Sequence, residues 1–259
     1  MTAANGGIRL SVIIPAYNEE KRLPSYLARV EEYLCSVFNG DAVEVIVVDD
    51  GSTDATASVV TSMIASGGMV RLLKLPRNRG KGYAVRTGML AARGEIRLFT
   101  DADGATPIAE LNKLMVALEA PETVTEIAVA SRALPDESRV VESRAHRKFI
   151  GNIFNMFVRC LAVKGIRDTQ CGFKLFSGHV ADELFGRLRI DGFGFDVELL
   201  FLAQKLGYRA VEVPVNWTDM PGSKVNVLAD STRMFRDLMM TRINWLRGAY
   251  AVKQNHRDI

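Results

Sequence analysis

Cysteine and histidine are scarce in this chain, and their scarcity removes several kinds of chemistry at once. Its 259 residues include three cysteines, Cys35, Cys160 and Cys171, and three histidines, His146, His179 and His256. The cysteines are odd in number and form no Cys-x-x-Cys pair, which argues for reduced thiols and against a disulfide framework or a zinc site. Scattered histidines give a histidine-centred metal site or triad nothing to stand on. No apolar run reaches the roughly 18 residues of a spanning helix, and residues 1–9 lack the basic-then-apolar order of a signal peptide. No arginine- or lysine-rich run is interleaved with stacking aromatics, and the net charge is only +3, so nucleic acid is not an expected partner. Neither Gly-x-Gly-x-x-Gly after the first strand pattern nor Gly-x-x-x-x-Gly-Lys-Ser/Thr occurs, which sets aside a Rossmann dinucleotide site and a P-loop.

What is present is an alternation of strand and helix patterns. With 48% hydrophobic and 24% charged residues, the chain can bury a core as one large α/β domain or two small ones. Residues 10–15 and 43–50 are short β-branched runs ending in polar turns, the pattern of strands buried on both faces of a parallel sheet. Residues 19–38 have helical spacing through Leu23, Tyr26, Leu27, Val30, Tyr33 and Leu34. Ser52 or Thr53 is placed to cap a second helix through Val59, Val60 and Met63. Residues 70–75 read as a third strand, 80–92 as a loop opening into a helix, and 95–100 as a fourth strand. The sum is a doubly wound α/β unit, whose ligands sit at the carboxyl ends of the strands.

Polar residues collect at those ends. They are Ala16-Tyr17-Asn18-Glu19-Glu20, Asp49-Asp50-Gly51-Ser52, Asn78-Arg79-Gly80-Lys81-Gly82, and Asp101 with Asp103. Residues two apart on a strand point the same way, so Asp101 and Asp103 can converge on one cation. Magnesium is usually held by one or two carboxylates together with substrate phosphates, so an Asp-x-Asp at a strand end points to a phosphate-bearing substrate. The same dipeptide spacing also occurs in calcium loops and polar turns, and Asp-Gly-Ser is a common turn and cap.

These segments resemble the inverting family 2 glycosyltransferases of the GT-A fold: Val12-Ile13-Ile14-Pro15-Ala16-Tyr17-Asn18-Glu19-Glu20, Val47-Val48-Asp49-Asp50-Gly51-Ser52-Thr53-Asp54, Asn78-Arg79-Gly80-Lys81-Gly82 and Asp101-Ala102-Asp103-Gly104-Ala105-Thr106. The second half, through Ile166-Arg167-Asp168-Thr169-Gln170-Cys171-Gly172-Phe173-Lys174, Phe195-Asp196-Val197-Glu198, Val215-Asn216-Trp217 and Gly222-Ser223-Lys224, is similar to the dolichyl-phosphate β-glucosyltransferases. The resemblance implies a GT-A type, mostly parallel sheet flanked by helices over residues 10–228, after a tail at 1–9. Its nucleotide-binding half would run over about 10–105 and its acceptor-binding half over about 106–228, with a basic amphipathic helix and tail at 229–259. It also implies glucose transfer from UDP-glucose to a polyprenyl phosphate.

Nucleotide-sugar contacts would then fall to Pro15, Ala16, Tyr17, Asn18, Glu19, Asp49, Asp50, Lys81, Gly82, Asp101, Ala102 and Asp103. Asp101 and Asp103 would hold Mg2+ or Mn2+. In related mannosyltransferases a glutamine two residues past the second aspartate also meets the metal; here that position is Ala105. Arg132, Arg147 and Lys224 would bind the acceptor phosphate, since an arginine fork matches phosphate oxygens. Asp103, Arg132, Arg147, Asp168, Gln170 and Lys224 form the expected catalytic set. A serine that relatives often carry four residues past the second arginine is Gly151 here.

A lipid acceptor requires contact with a membrane surface, and two stretches have the composition for it. Residues 148–163 carry Phe149, Ile150, Ile153, Phe154, Met156, Phe157 and Leu161. Residues 232–252 combine Met234, Phe235, Leu238, Met239, Ile243, Trp245 and Leu246 with Arg233, Arg236, Arg242 and Arg247. That is the pattern of an interfacial helix, and equally of a core helix or a subunit contact, so a homo-oligomer stays open. Eukaryotic relatives carry an N-terminal membrane helix that this sequence does not show, so the expected protein is prokaryotic, cytoplasmic and peripheral on the inner face of the cell membrane. Alternatives are a mannosyl or other hexosyl donor, a nucleotidyltransferase, or a non-catalytic nucleotide-sugar-binding module. The nucleotidyltransferase lacks its usual glycine-rich loop with arginine after the first strand.

Overall fold

The computed structural model describes residues 7–38, 43–65, 68–121, 124–134, 141–142, 163–220 and 227–251. In chain order the elements are β1 (Leu10–Ala16), α1 (Leu23–Val37), β2 (Val43–Asp49), α2 (Thr56–Ala65), β3 (Val70–Lys74), α3 (Lys81–Ala91), β4 (Ile96–Thr100) and α4 (Leu111–Leu118). They continue as β5 (Ile127–Ser131), β6 (Val141–Glu142), β7 (Phe173–Ser177), α5 (Gly178–Arg187), α6 (Phe195–Lys205), β8 (Ala210–Pro214), β9 (Trp217–Thr218) and α7 (Val227–Leu246). A seven-stranded sheet runs β3-β2-β1-β4-β7-β5-β8, in which only β7 is antiparallel to its neighbours. Helices cover both faces, as a sheet of βαβ units requires.

Alternation along the strands divides the interior in two. Val12, Ile14, Val45, Val47 and Leu98 pack against α1, α2 and α4. Ile13, Ile46, Val48 and Phe99 pack against α3, α5 and α6. Every residue of β1 and β2 is buried, and each large apolar side chain so placed contributes about 1.5–3 kcal/mol. Phe176 and Phe185 meet edge-on at 5.4 Å, and Phe99 lies 5.7 Å from Phe195, so α5 and α6 are seated on the central strands.

The amino ends of the strands are sealed by one carboxylate. Glu44 on β2, its side chain 6% exposed, accepts from Ser11 Oγ at 2.7 Å, the Arg93 amide at 2.7 Å and Arg71 Nε at 3.0 Å. Burial alone would raise its pKa, but these donors and the Arg71 charge hold it below the ordinary glutamate range.

Three expectations change. The first helix starts at Leu23, with Pro24 in its first turn, because Glu19 to Arg22 form a turn in which the Arg22 and Leu23 amides donate to the Glu19 carbonyl. Ser52 and Thr53 do not cap α2. Ser52 Oγ accepts from the Asn18 amide at 2.9 Å, the Thr53 amide donates to Asn18 Oδ1 at 2.8 Å, and Asp54 Oδ1 receives the Thr56 amide at 2.9 Å. An acceptor two residues before the amide closes a tight Asx turn, which leaves Ser52 free to tie two rim loops together. Finally, in α7 Trp245 faces inward, edge-on to Phe201 at 5.9 Å. Apolar contact with the core outweighs a headgroup position for that indole; Phe235, by contrast, is 44% exposed. The expected helix at 148–163 lies, except for buried Val163, outside the described residues.

Candidate active site

The first three strands each deliver a loop to the carboxyl edge, and hydrogen bonds between loops fix that edge. Pro15 and Ala16 end β1, which is buried throughout, and Tyr17 beyond them is 37% exposed. Asn18 takes a left-handed conformation, φ 54°, which asparagine tolerates better than most side chains. The Glu19 amide donates to Thr56 Oγ1 at 2.7 Å, and its carboxylate receives both Nε and NH2 of Arg22. Asp49 Oδ1 accepts the Ser52 amide at 3.0 Å. Asp50 receives the Arg79 amide at 2.8 Å on Oδ1, and the Gly80 amide at 2.8 Å and Asn78 Nδ2 at 3.0 Å on Oδ2. Its carboxylate therefore shapes the loop that carries Lys81. Gly82 has no room for a side chain: a Cβ would sit 2.7 Å from the Ile190 carbonyl.

Asp101 and Asp103 follow β4. The antiparallel register sets Thr100 against Phe173, so Asp101 lies beside Gly172 and its amide donates to the Gly172 carbonyl at 3.0 Å. A Cβ at Gly172 would overlap the Asp101 carboxylate; glycine there makes space for an acid. Lys81 Nζ lies 2.6 Å from Asp101 Oδ1, and Arg22 NH1 lies 4.0 Å from Asp103 Oδ2. Burial and the neighbouring Asp101 charge push the Asp103 pKa up. Both side chains nonetheless stay open, 37% and 26% exposed. Ala102 between them is buried, and the Ala105 amide donates to Asp103 Oδ1 at 3.0 Å. Arg22 and Gly172 carried no role in the sequence reading; the spacing of Arg22 three residues after Glu19 was the available signal for one, whereas Gly172 needed the strand register.

On the other half, Arg132 and Asp168 form a forked pair. Arg132 Nε donates at 2.7 Å and NH2 at 2.9 Å to the two oxygens of Asp168, and the Arg132 amide adds a third bond at 2.9 Å. Burial opposes both charges, yet each partner stabilises the other: the Arg132 pKa is raised and the Asp168 pKa is held below the ordinary aspartate range. The outer face of Arg132 stacks 5.2 Å from the Trp217 ring centroid. Gln170 donates its amide to Asp168 Oδ1, and its own Nε2 is buried with no hydrogen-bond partner among the described residues. Arg147 and Lys224 lie outside the described residues, as do Arg139, Arg144 and Lys148.

Two further acids, in the segment Phe195-Asp196-Val197-Glu198 that carries the resemblance, are each held by buried partners. Asp196 pairs with the fully buried Lys174 at 2.5 Å, and Lys174 also donates to the Cys171 carbonyl at 2.7 Å. Glu198 receives the Tyr250 hydroxyl at 2.6 Å and the Ile190 amide at 2.9 Å. Cys171 is buried with its pKa pushed up to about 12, chiefly by desolvation, and is an inert thiol.

For a metal, the described residues hold no group of three His, Cys, Asp or Glu side chains around one point. What they offer is two hard carboxylate oxygen donors, partly open and mutually repelling. That donor set fits Mg2+ or Mn2+, which complete their shells with water and substrate phosphates.

A mostly parallel sheet with two aspartates at the end of β4 and interlocked polar loops around them defines a GT-A type glycosyltransferase. The fold is shared with glucosyl-3-phosphoglycerate synthase of Mycobacterium tuberculosis solved with Mn2+, UDP and glucosyl-3-phosphoglycerate, at TM-score 0.68 and 21% identity over 91% of this chain and 80% of that one. It is shared also with a mannosyltransferase of Pyrobaculum calidifontis in complex with GDP-Man and Mn2+, at TM-score 0.63 and 24% identity, covering 92% and 64%. Residues 11–185 match the model for glycosyl transferase family 2, and the chain belongs to that family. Within it, the chain is 44% identical to dolichyl-phosphate β-glucosyltransferase of Dictyostelium discoideum over 95% of its own length and 77% of the relative's. The Drosophila melanogaster enzyme of the same name is 46% identical (95% and 78% covered) and the human one 40% (96% and 79%). The protein is a glycosyltransferase.

Proposed function

We propose that this enzyme transfers glucose from UDP-glucose to a polyprenyl phosphate with inversion, on a divalent cation, at a membrane surface. One observation carries the reading: two open carboxylates stand at the end of β4 and an arginine is anchored by Asp168 on the opposite half, an arrangement that would serve two anions. The curated relatives named dolichyl-phosphate β-glucosyltransferase support glucose as the sugar and a polyprenyl phosphate as the acceptor.

In this reading Asp101 and Asp103 hold the cation, which supplies Lewis-acid stabilisation of the leaving diphosphate. Lys81 adds a positive charge to the same edge. Pro15, Ala16, Tyr17, Asn18, Glu19, Asp49, Gly82 and Ala102 line the path of the uracil and ribose, while Asp50 acts by fixing the Lys81 loop. The acceptor phosphate oxygen bonds to the anomeric carbon as the bond from that carbon to the diphosphate oxygen breaks, and UDP departs with the electron pair. A phosphate monoester, with its second pKa at about 6, is already largely dianionic at neutral pH and needs no general base. Asp168 accordingly serves to aim Arg132, and Gln170 brings an unpaired donor to the same place. Arg147 and Lys224 belong to the acceptor site on the resemblance alone.

Membrane contact is proposed for the outer face of α7, where Phe235, Met239, Met240 and Leu246 are exposed beside exposed Arg233, Arg236 and Arg242. No helix among the described residues is long and apolar enough to cross a membrane. The cytoplasmic face is the expected side. The test is a panel of radiolabelled UDP-glucose, UDP-galactose and GDP-mannose against purified polyprenyl phosphate. Lipid-extractable label from UDP-glucose supports the reading. Label from GDP-mannose alone replaces the donor, and binding of UDP-glucose without any transfer makes the chain a binding module.

A further inference from the structure

Next to the loop that carries Lys81 lies a cavity of about 560 Å3 that the reaction does not use. Four arginines line it, Arg79, Arg86, Arg187 and Arg189, and Asp191 is the single carboxylate among its lining residues. Asp191 is shared: its Oδ2 meets Arg79 NH2 at 2.9 Å and its Oδ1 meets Arg86 NH2 at 3.1 Å, with both guanidinium groups also over the Tyr83 ring, at 3.8 and 4.8 Å. Arg187 pairs with Glu183 at 2.5 Å. Behind the wall, Glu198 accepts the Arg189 amide at 3.1 Å and the Tyr250 hydroxyl at 2.6 Å and interacts with the Arg86 charge, so three carboxylates face four guanidinium groups and a smaller local excess of positive charge remains.

The arrangement is built rather than incidental. Backbone carbonyls orient three of the forks: Leu188 receives Arg86 NH1 at 2.6 Å, Tyr250 receives Arg187 NH1 at 2.7 Å, and Ala249 receives Arg189 NH2. Arg187 Nε is buried with no hydrogen-bond partner among the described residues. Like charges crowded at a partly desolvated surface repel unless an anion joins them, and planar forks are the side chains best shaped to take phosphate oxygens in pairs. We propose that this cavity is a second anion site, separate from the carboxylate edge, that takes a phosphate or diphosphate group. It shares Arg189 and Asp191 with the neighbouring groove that reaches Arg233 and Arg236 on α7, so the group comes either from a soluble phosphate or from the headgroup of an anionic lipid.

The experiment titrates inorganic phosphate and pyrophosphate into the full chain without nucleotide, and in a parallel arm phosphatidylglycerol or phosphatidylcholine vesicles. Trp245 fluorescence is the readout, recorded in a Trp217→Phe background because Trp217 stacks on Arg132; the Trp245 ring lies 6.5 Å from Tyr250, a wall of the cavity. The expected result is a saturable response to at least one phosphate source. Arg189→Gln weakens it about tenfold, the equivalent of one charged fork. Arg189→Lys, which keeps charge and stem, loses less, and Asp191→Asn tightens it by removing the competing carboxylate. Asp103→Asn leaves it unchanged. Response to the soluble ions assigns a soluble ligand, and response to phosphatidylglycerol vesicles alone assigns a lipid headgroup. No response in either arm overturns the proposal, as does a response abolished by Asp103→Asn and insensitive to Arg189, which would put the anion at the carboxylate edge. Weakening in Asp191→Asn as well as Arg189→Gln also overturns it, because a shared loss marks a structural role.

Discussion

The two ends of one sheet use the same acidic side chains for opposite purposes. At the amino end Glu44 is 6% exposed and surrounded by donors, with its pKa drawn down. At the carboxyl end Asp103 is 26% exposed, next to a second carboxylate, with its pKa driven up. A buried carboxylate whose oxygens are all met stabilises the fold relative to any variant that leaves its partners behind. A carboxylate left partly open beside another is a standing cost that a cation relieves. Identity of the residue therefore says little; the count of partners separates scaffold from site.

Variants at the two ends should separate in the same way. Asp103→Asn is expected to lower turnover about a thousandfold, because several kcal/mol of leaving-group stabilisation are lost, while thermal unfolding barely moves. A calorimetric Tm that falls by the amount seen for a core variant would erase the distinction. Glu44→Ala is the mirror experiment: chemical denaturation should show a loss of roughly 2–4 kcal/mol, since Ser11, Arg71 and the Arg93 amide lose their acceptor, with kcat on the folded fraction unchanged. Gly172→Ala tests how closely the carboxyl end is fitted. A methyl group driven into the Asp101 carboxylate should cost about 10- to 100-fold in kcat/KM, on the scale of a displaced metal-site support, and the loss should vanish from simple UDP-binding assays performed without metal.

The smallest effect is in pH. Glu44 has a folded pKa below its unfolded value, so its contribution is present above the unfolded glutamate pKa and is lost as pH falls through the folded one. Wild type should lose more stability than Glu44→Gln on acidification from neutrality through and below the ordinary glutamate pKa. Equal acid limbs in the two denaturation series would show that the donors around Glu44 do not favour its charged form.

Much of this architecture is visible in residue order. Short β-branched runs such as residues 43–49 announce strands buried on both faces, and the polar residues after β1 to β4 mark the edge where they collect. The caps were less legible: Ser52 and Thr53 have the chemistry of a helix start, but Asn18, 35 residues before Thr53, claims them across the edge. Long-range pairing also hid the role of Gly172, which follows from the β4–β7 register, and turned Trp245 toward Phe201 rather than outward. Arg132 and Asp168 were each expected in the site, yet their forked contact depends on strands β5 and β7 lying side by side.

The central claim is that the carboxyl edge binds the donor through a cation held by Asp101 and Asp103. Isothermal titration of UDP with and without Mn2+ tests it most directly. Mn2+ should tighten UDP binding at least tenfold in the wild type and in Glu44→Gln, a gain of about 1.4 kcal/mol or more, and should give no gain in Asp103→Asn. Equal UDP affinity with and without Mn2+ in the wild type would contradict the account.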